Sequence, residues 1–245
     1  HLSHNFVFLH QPWDADAFRK LLVGMEDLRE PEAWAAWFLN NHDHSRVATR
    51  YGTHAVRAAA MLVLTLRGTP FLFQGEELGL PDAPVGPNEE VDVEGRDPER
   101  APMPWGPPSL EGPGAGFTSG APWLPITPEA ERLNATAQLE DASSTLSFYR
   151  RLIHLRKETP CLHSGSLDLL SSPKDVLAFV REEDDQRMLV VLNFSASEVC
   201  FEGALAGLQG GAHMALSTDP ESRRNEVDLR AVPLGSGEGL ILQLI

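Results

Sequence analysis

Four short runs carry side chains whose types and spacing could do chemistry. Asn41-His42-Asp43 follows the apolar run Trp34-Ala-Ala-Trp-Phe-Leu39, so an imidazole and a carboxylate stand where a strand would surface. Gln74-Gly-Glu-Glu77 ends a second apolar run, and Gly95-Arg-Asp-Pro-Glu-Arg100 sets Arg96 and Arg100 four residues apart beside Pro102-Met-Pro-Trp105. Gly114-Ala-Gly-Phe117 is a small-residue turn that presents an aromatic ring. In a parallel barrel, catalytic groups gather at the C-terminal strand ends because the loops there converge on one face. Each run also has an ordinary reading. An Asn-His-Asp triplet caps turns and helices, Glu76 and Glu77 can be solvated charges, Arg96 and Arg100 can form salt bridges, and Phe117 and Trp105 can cover a loop. A metal site from His42, Asp43 and His44 is disfavoured, since neighbours on an extended chain point opposite ways.

The pattern around these runs predicts the elements that must hold them. Phe6-Val-Phe-Leu9, within 4–9, has the composition of a short strand. Ala17, Phe18, Leu21, Leu22 and Met25 recur at helical spacing after Pro12 and Asp14. The run 34–39 suits a strand buried on both faces with an exposed polar end. A helix over 53–67 is broken by Gly68-Thr-Pro70, and Phe71-Leu-Phe73 reads as the next strand. Strand, helix, strand, helix, strand argues for parallel βα units. Residues 80–140 are rich in Pro, Gly and acidic side chains with isolated Trp105, Phe117 and Trp123, the mark of a long functional loop rather than a disordered linker. From Asp141 to Glu158 an amphipathic helix follows, and after Gly165 come short strands at 167–170, 176–181, 188–194, 199–201, 214–216, 226–229 and 240–245. That spacing indicates an antiparallel sheet or sandwich.

Composition bounds the function classes. The 245 residues carry a formal net charge of −15 and 42% hydrophobic side chains, enough for a buried core. Such a polyanion is repelled by phosphate backbones and anionic lipid, so neither nucleic acid nor a membrane is the expected partner, whereas a neutral sugar is untroubled by the field. No apolar run is long enough for a membrane span, and His1 to His10 lacks the basic start of a signal peptide. The chain opens on His1 and not Met, which suggests that processing or truncation removed what came before. Cys161 and Cys200 lack metal-ligand spacing and read as two free buried thiols in a reducing cytoplasm.

In order, Trp37-Phe-Leu-Asn-Asn-His-Asp-His-Ser-Arg46, Gly68-Thr-Pro-Phe-Leu-Phe-Gln-Gly-Glu-Glu-Leu-Gly79, Gly95-Arg-Asp-Pro-Glu-Arg-Ala-Pro-Met-Pro-Trp105, Ala115-Gly-Phe117 and Pro122-Trp-Leu-Pro125 closely resemble the maltase-like α-glucosidases and oligo-1,6-glucosidases of the α-amylase superfamily. Ser147-Phe-Tyr-Arg-Arg-Leu-Ile-His-Leu-Arg156 and Leu189-Val-Val-Leu-Asn-Phe194 fit the same pattern. The resemblance covers nearly the whole chain. It implies an α/β plus all-β fold: the C-terminal part of a (β/α)8 TIM barrel, about strands six to eight, in residues 1–160 with the long loop at about 80–140, followed by an antiparallel β-sandwich domain in 161–245.

The resemblance further implies a retaining, exo-acting α-glucosidase in which Asp43 is the transition-state-stabilising carboxylate. It would hold ring hydroxyls while positive charge builds on the anomeric carbon. His42 and Arg96 would bind the same sugar, with Arg100 and Phe117 near the pocket. Arg46 would orient its neighbours, and Glu76 and Glu77 would stand behind the pocket or at its entrance. The chemistry needs no cofactor and no metal, and the substrate would be a disaccharide or oligosaccharide. A nucleophile and an acid/base carboxylate ~5–5.5 Å apart are also required, and neither family motif occurs here. They would come from a missing N-terminal barrel half, on the same or a second chain, so this chain alone is expected to be inactive. Pro104 stands where the family has Gln, Phe71 and Phe73 stand where Tyr is common, and the loop 81–94 is short. Two other readings compete: a non-catalytic carbohydrate- or partner-binding remnant, as in amino-acid transporter heavy chains, and a trehalose synthase or sucrose isomerase type of relative.

Overall fold

The computed structural model describes residues 2–28, 34–86 and 88–245. Along the chain run β1 (Leu2–His4), α1 (Phe6–Leu9), α2 (Ala15–Leu28), β2 (Trp34–Trp37), α3 (Val47–Arg50), α4 (Val56–Thr65) and β3 (Thr69–Pro70). The long segment after β3 holds only short helices: α5 (Asp97–Arg100), α6 (Pro108–Glu111) and α7 (Ala135–Glu140). Then come α8 (Thr145–Glu158), α9 (Pro160–His163), β4 (Ser166–Leu169), β5 (Val176–Glu183), β6 (Gln186–Asn193), β7 (Val199–Phe201), β8 (Gly211–Ser217), β9 (Glu226–Asp228), β10 (Val232–Leu234) and β11 (Gly239–Leu244). The chain divides into two compact units. One is His1–Trp37, Arg57–Phe71 and Arg151–Ile245; the other is Phe38–Val56 and Leu72–Arg150.

In the first unit β1, β2 and β3 form a parallel sheet in that order, with Ser3 opposite Ala35 and Ala36 opposite Thr69. Parallel βα alternation is therefore present, but two strands lie earlier than the apolar runs suggested. The expected strand Phe6–Leu9 is the helix α1. Asn5 caps it, its side-chain oxygen accepting the Phe8 N–H at 3.0 Å, and that local bond turns the apolar run into a helical turn. The expected strand Phe71–Phe73 is replaced by Thr69–Pro70. The Phe71 N–H still donates to the Trp37 carbonyl at 2.8 Å, after which Phe71 and Leu72 turn outward and are exposed.

The helix expected over 53–67 starts as a 3-10 turn at Thr53–Ala55 and becomes α4 at Val56. Ala58 through Leu64 are all buried, so this helix is apolar on every side. Its C-terminal carbonyls therefore need partners other than water. Arg156 supplies two of its nitrogens, Nη1 donating to Leu64 O at 2.6 Å and Nη2 to Gly68 O at 2.8 Å. Arg181, 0% exposed, donates to the carbonyls of Thr65, Leu162 (3.1 Å), His163 (3.3 Å), Gly165 (3.0 Å) and Ser166 (2.8 Å). Burial lowers the Arg181 guanidinium to about 10, which still leaves it charged at neutral pH.

The same unit holds the antiparallel sheet β4-β5-β6-β11-β8-β9 and the two-stranded sheet β10-β7. Val176, Ala178 and Val180 of β5 share one core with Leu189 and Val191 of β6, Leu240 and Leu242 of β11, and Phe201, Val232 and Leu234 of the smaller sheet. Leu177 and Phe179 point the other way and are buried too, so β5 is covered on both faces and shows no apolar/polar alternation. Each such side chain contributes roughly 1.5–3 kcal/mol of transfer free energy. The short β10, which carries Pro233, was not evident in the sequence pattern. Cys161 is free and buried, but Cys200, expected to be buried, is free and exposed on β7, the face of a two-stranded ribbon that the core leaves uncovered.

The second unit is mostly irregular, with a small core of Leu78, Leu80, Met103 and Ala135. Side-chain caps order it. The Asn134 oxygen accepts the Ala137 N–H at 2.9 Å to start α7, and the Gln138 amide donates to Leu78 O at 2.8 Å. The helix expected from Asp141 starts at Thr145, because Asp141 closes the preceding turn by accepting the Ser143 N–H at 2.7 Å, and Ser144 is the cap of the helix itself, accepting the Ser147 N–H at 3.1 Å.

Candidate active site

All the residues singled out from the sequence lie in the second unit. Beyond β2 the chain passes through Leu39 into a tight turn. The Asn41 side-chain oxygen accepts the Asp43 N–H at 2.8 Å, and the His44 N–H reaches Asn41 O at 3.4 Å. This local bond orients Asp43 before any tertiary contact is made. Arg46, fully buried, anchors the chain just beyond the turn: its backbone N–H donates to Asp82 Oδ1 at 2.8 Å, and Nη1 donates to Gln74 O at 2.7 Å. Its guanidinium lies 4.9 Å from the centre of the Phe73 ring. Gly75, at φ +84°, is what permits the approach, since a Cβ there would stand 3.0 Å from Arg46 Nη1 and 2.6 Å from Leu80 Cδ1.

Asp43, Arg96 and Arg100 come together. Arg96 Nη1 donates to Asp43 Oδ1 at 3.1 Å, and Arg100 Nη2 donates to the same oxygen at 3.0 Å. Arg100 Nε also donates to the His42 carbonyl at 2.7 Å, tying the turn to α5. The second oxygen, Asp43 Oδ2, faces only the imidazole Nε2 of His42 at 3.3 Å among the described residues. That imidazole is 68% exposed, so this side of the carboxylate opens to solvent.

A fourth member closes the cluster. Asp92 accepts Arg96 Nε at 2.8 Å and Nη2 at 2.7 Å, a forked pair, and its Oδ1 lies 3.5 Å from Arg100 Nη1. Two carboxylates and two guanidiniums thus alternate around a ring. The fork from Arg96 holds the Asp92 carboxyl well below the usual carboxylate range, and Asp92 in turn raises the Arg96 guanidinium. The sequence reading missed Asp92, which sits among Glu89, Glu90 and Glu94 in an acidic loop. The one available signal was its spacing, four residues before Arg96 and eight before Arg100.

Glu76 is 4% exposed and stands beneath the turn rather than at an entrance. Its Oε1 accepts the Tyr149 hydroxyl at 2.9 Å and its Oε2 accepts the Phe73 N–H at 3.2 Å. Burial pushes this carboxyl up to about 7, and the same burial together with the Glu76 charge raises Tyr149 well above its ordinary value. Glu77 beside it is half-buried. Phe117 is presented by the turn in which its N–H donates to Gly114 O at 2.8 Å, and the ring is 49% exposed. Among the described residues, no hydrogen bond, ion pair or ring contact joins Phe117 to the Asp43 cluster, so the structure does not bring it into the group formed by His42, Asp43, Arg96 and Arg100.

Such a cluster can hold a carboxylate in a fixed orientation while one oxygen stays available to hydroxyls or to a developing positive charge. Residues 4–165 match the family model described as alpha amylase, catalytic domain, and residues 168–219 match that of maltogenic amylase, C-terminal domain. An oligo-1,6-glucosidase of Parageobacillus thermoglucosidasius is 29% identical over 78% of this chain and 39% of its own length. An amino acid transporter heavy chain of Rattus norvegicus is 34% identical over 89% of this chain and 32% of its own. The solved isomaltulose synthase PalI from Klebsiella sp. LX3 superposes with a TM-score of 0.87 at 25% identity, covering 100% of this chain and 51% of that one. The chain thus spans between about a third and a half of the length of these relatives.

Proposed function

The chain belongs to the alpha-amylase family, and from that premise we propose that it supplies one part of the active site of a retaining, exo-acting α-glucosidase. On this reading β1, β2 and β3 are about strands six to eight of a (β/α)8 barrel, residues 1–160 belong to that barrel and 161–245 form the β-sandwich domain. The ranges of the two matching family models support the division. A further stretch of barrel, on the same or a second chain, contributes the nucleophile and the acid/base. The buried Asn40 supports this: both polar atoms of its amide lack a hydrogen-bond partner among the described residues, a costly state that an added strand would relieve. Two unpaired cysteines support a reducing cytoplasm as the compartment.

The observation that carries the proposal is the two-guanidinium grip on one oxygen of Asp43. In hydrolysis the glucosyl unit passes through an oxocarbenium-like state. A carboxylate already ionised and oriented stabilises that charge without reorganising. His42, beside Oδ2, and Arg96, on Oδ1, border the same carboxylate and are the groups proposed to hold the sugar hydroxyls. Arg46, Glu76 and Glu77 act from behind, by keeping the two loops in register. The substrate is a terminal α-glucosidic disaccharide or oligosaccharide, in keeping with the oligo-1,6-glucosidase relative. An isomerising reaction is the second enzymatic reading, favoured by the isomaltulose synthase superposition. A non-catalytic scaffold is favoured only by the transporter heavy chain, and the intact Asp43–Arg96–Arg100 cluster stands against it.

Turnover of p-nitrophenyl α-glucoside tests the proposal. The chain alone is expected to be inactive. The chain co-expressed with the front barrel segment of an oligo-1,6-glucosidase is expected to be active, and Asp43→Ala should lower that activity at least ~10²–10³-fold. Turnover by the chain alone that survives repurification and is lost in Asp43→Ala would overturn the missing-half reading. Activity that Asp43→Ala leaves intact would overturn the role of Asp43.

A further inference from the structure

We propose that Asp92 is the positioning residue of this site: it aims both guanidinium groups at one oxygen of Asp43 and so leaves the other oxygen for substrate. The inference rests on the reading of Asp43 given above, but its geometric content stands apart from any reaction.

The geometry makes Asp92 the hub of the loop. Arg96 has only one nitrogen, Nη1, directed at Asp43, while its Nε and Nη2 are both taken by Asp92. A guanidinium is planar, so fixing two nitrogens by a fork fixes the direction of the third. Arg100 is held differently, by the His42 carbonyl, and its Nη1 meets Asp92 Oδ1 at 3.5 Å. The two cations converge on a single oxygen at 3.1 and 3.0 Å, an arrangement that like-charge repulsion opposes. Asp92 Oδ1 lies between them on the other side and offsets that repulsion. Glu94 also reaches Arg96 Nη1, at 3.3 Å, but it is exposed and screened by water.

Asp92 is itself positioned. Asp97, fully buried, accepts the backbone N–H groups of Val91 and Asp92 with its Oδ2 at 2.6 and 2.9 Å. Order therefore passes from Asp97 to the backbone at 91–92, from there to the Asp92 carboxylate, then to the two arginines and Asp43. Asp92 also does an ordinary job. Its Oδ2 accepts the N–H groups of Glu94 and Arg96 at 3.2 and 3.1 Å, which closes the turn before α5. Asp92→Asn separates the two roles: an amide oxygen in the place of Oδ2 can still accept the backbone bonds and Arg96 Nε, while the amide nitrogen in the place of Oδ1 cannot accept Arg96 Nη2, so the fork is opened.

The test is side-chain NMR of the chain and its Asp92→Asn variant, with circular dichroism as a check on folding. In the parent, the Arg96 Nη2 hydrogens, held by Asp92 Oδ1 at 2.7 Å, should give a resolved signal that is slow to exchange with water at neutral pH. In Asp92→Asn it should be lost to exchange while the backbone signals of residues 92–96 stay in place. Asp92→Glu, which keeps the charge on a longer stem, should restore it in part. An unchanged Arg96 signal in Asp92→Asn would reduce Asp92 to a turn cap and overturn the inference. If Asp92→Asn fails to fold, the same signal is read in Asp92→Ser, whose hydroxyl can still cap the turn but cannot reach the Arg96 fork, and its persistence there overturns the inference equally. D-glucose titration separates this from the functional reading. Asp92→Asn should weaken binding about tenfold in the parent but not in an Arg96→Ala background. Glucose affinity lowered equally in both backgrounds would overturn the inference, whereas a parent that binds no glucose counts against the functional reading and leaves the Arg96 signal to decide.

Discussion

Replacing Glu76 with glutamine should invert the order of stability between parent and variant as pH rises. The Glu76 carboxyl ordinarily titrates at 4.5 and is pushed up to about 7 by burial. The folded chain therefore holds this proton more tightly than the unfolded chain does. That contribution to stability is complete below 4.5, declines as pH climbs, and is gone above about 7. The slope is about 1.4 kcal/mol per pH unit, which accumulates to about 3 kcal/mol across the window. A glutamine in this place would keep an oxygen for the Tyr149 hydroxyl, but its amide nitrogen cannot accept the Phe73 N–H, at a cost of about 1 kcal/mol at any pH. Near pH 4 Glu76→Gln should be less stable than the parent by about 1 kcal/mol, and near pH 8 more stable by about 2 kcal/mol. Urea unfolding at stepped pH reads both curves. Parallel curves, or a parent that gains on the variant as pH rises, would refute the assignment of Glu76 as a carboxyl kept protonated by burial.

Two further predictions concern the fold. Arg181→Met should cost about 3–5 kcal/mol in urea unfolding, because it strands buried carbonyls that Arg181 now satisfies. Arg181→Lys should recover only part of this, since an ammonium cannot span the same fork. Gly68→Ala should lower stability by about 3 kcal/mol or more, for at φ +149° a Cβ would fall 2.3 Å from Trp37 Nε1 and 2.6 Å from the Ala35 carbonyl. A thermal midpoint within experimental error of the parent would contradict that packing.

The sequence displayed the parts of this molecule that depend on local pattern. Alternating apolar runs and breaks gave the parallel βα order and the later antiparallel strands, whereas Asn41-His42-Asp43, Arg96 and Arg100 were joined into one set only by the family resemblance. What escaped was decided by single hydrogen bonds or by distant partners. Phe6 to Leu9 has strand composition, yet one bond from the Phe8 N–H to Asn5 makes it helical. Phe71 to Phe73 has strand composition too, but the pairing ends at Pro70. Val232 to Leu234 is short and carries Pro233, and it becomes a strand only through its pairing with Val199 to Phe201. Asp92 was hidden because acidic residues surround it, and only the fold shows which of them faces two arginines. Tyr149 lies within the amphipathic helix expected over 141–158, and nothing in that periodicity shows that its hydroxyl meets a buried carboxyl.

The way α4 ends bears on how the protein is made. The Leu64 carbonyl is satisfied by a side chain 92 residues further on, and the Thr65 carbonyl by one 116 residues further on. Synthesis proceeds from the N-terminus, so a nascent chain that already contains all of α4 cannot finish its last turn until Arg156 and then Arg181 leave the ribosome. Until then a helix that is apolar on every side has an open C-terminal end. A stalled product would present that end to chaperones and proteases. Completing β5 is thus the step after which the early helix is sealed.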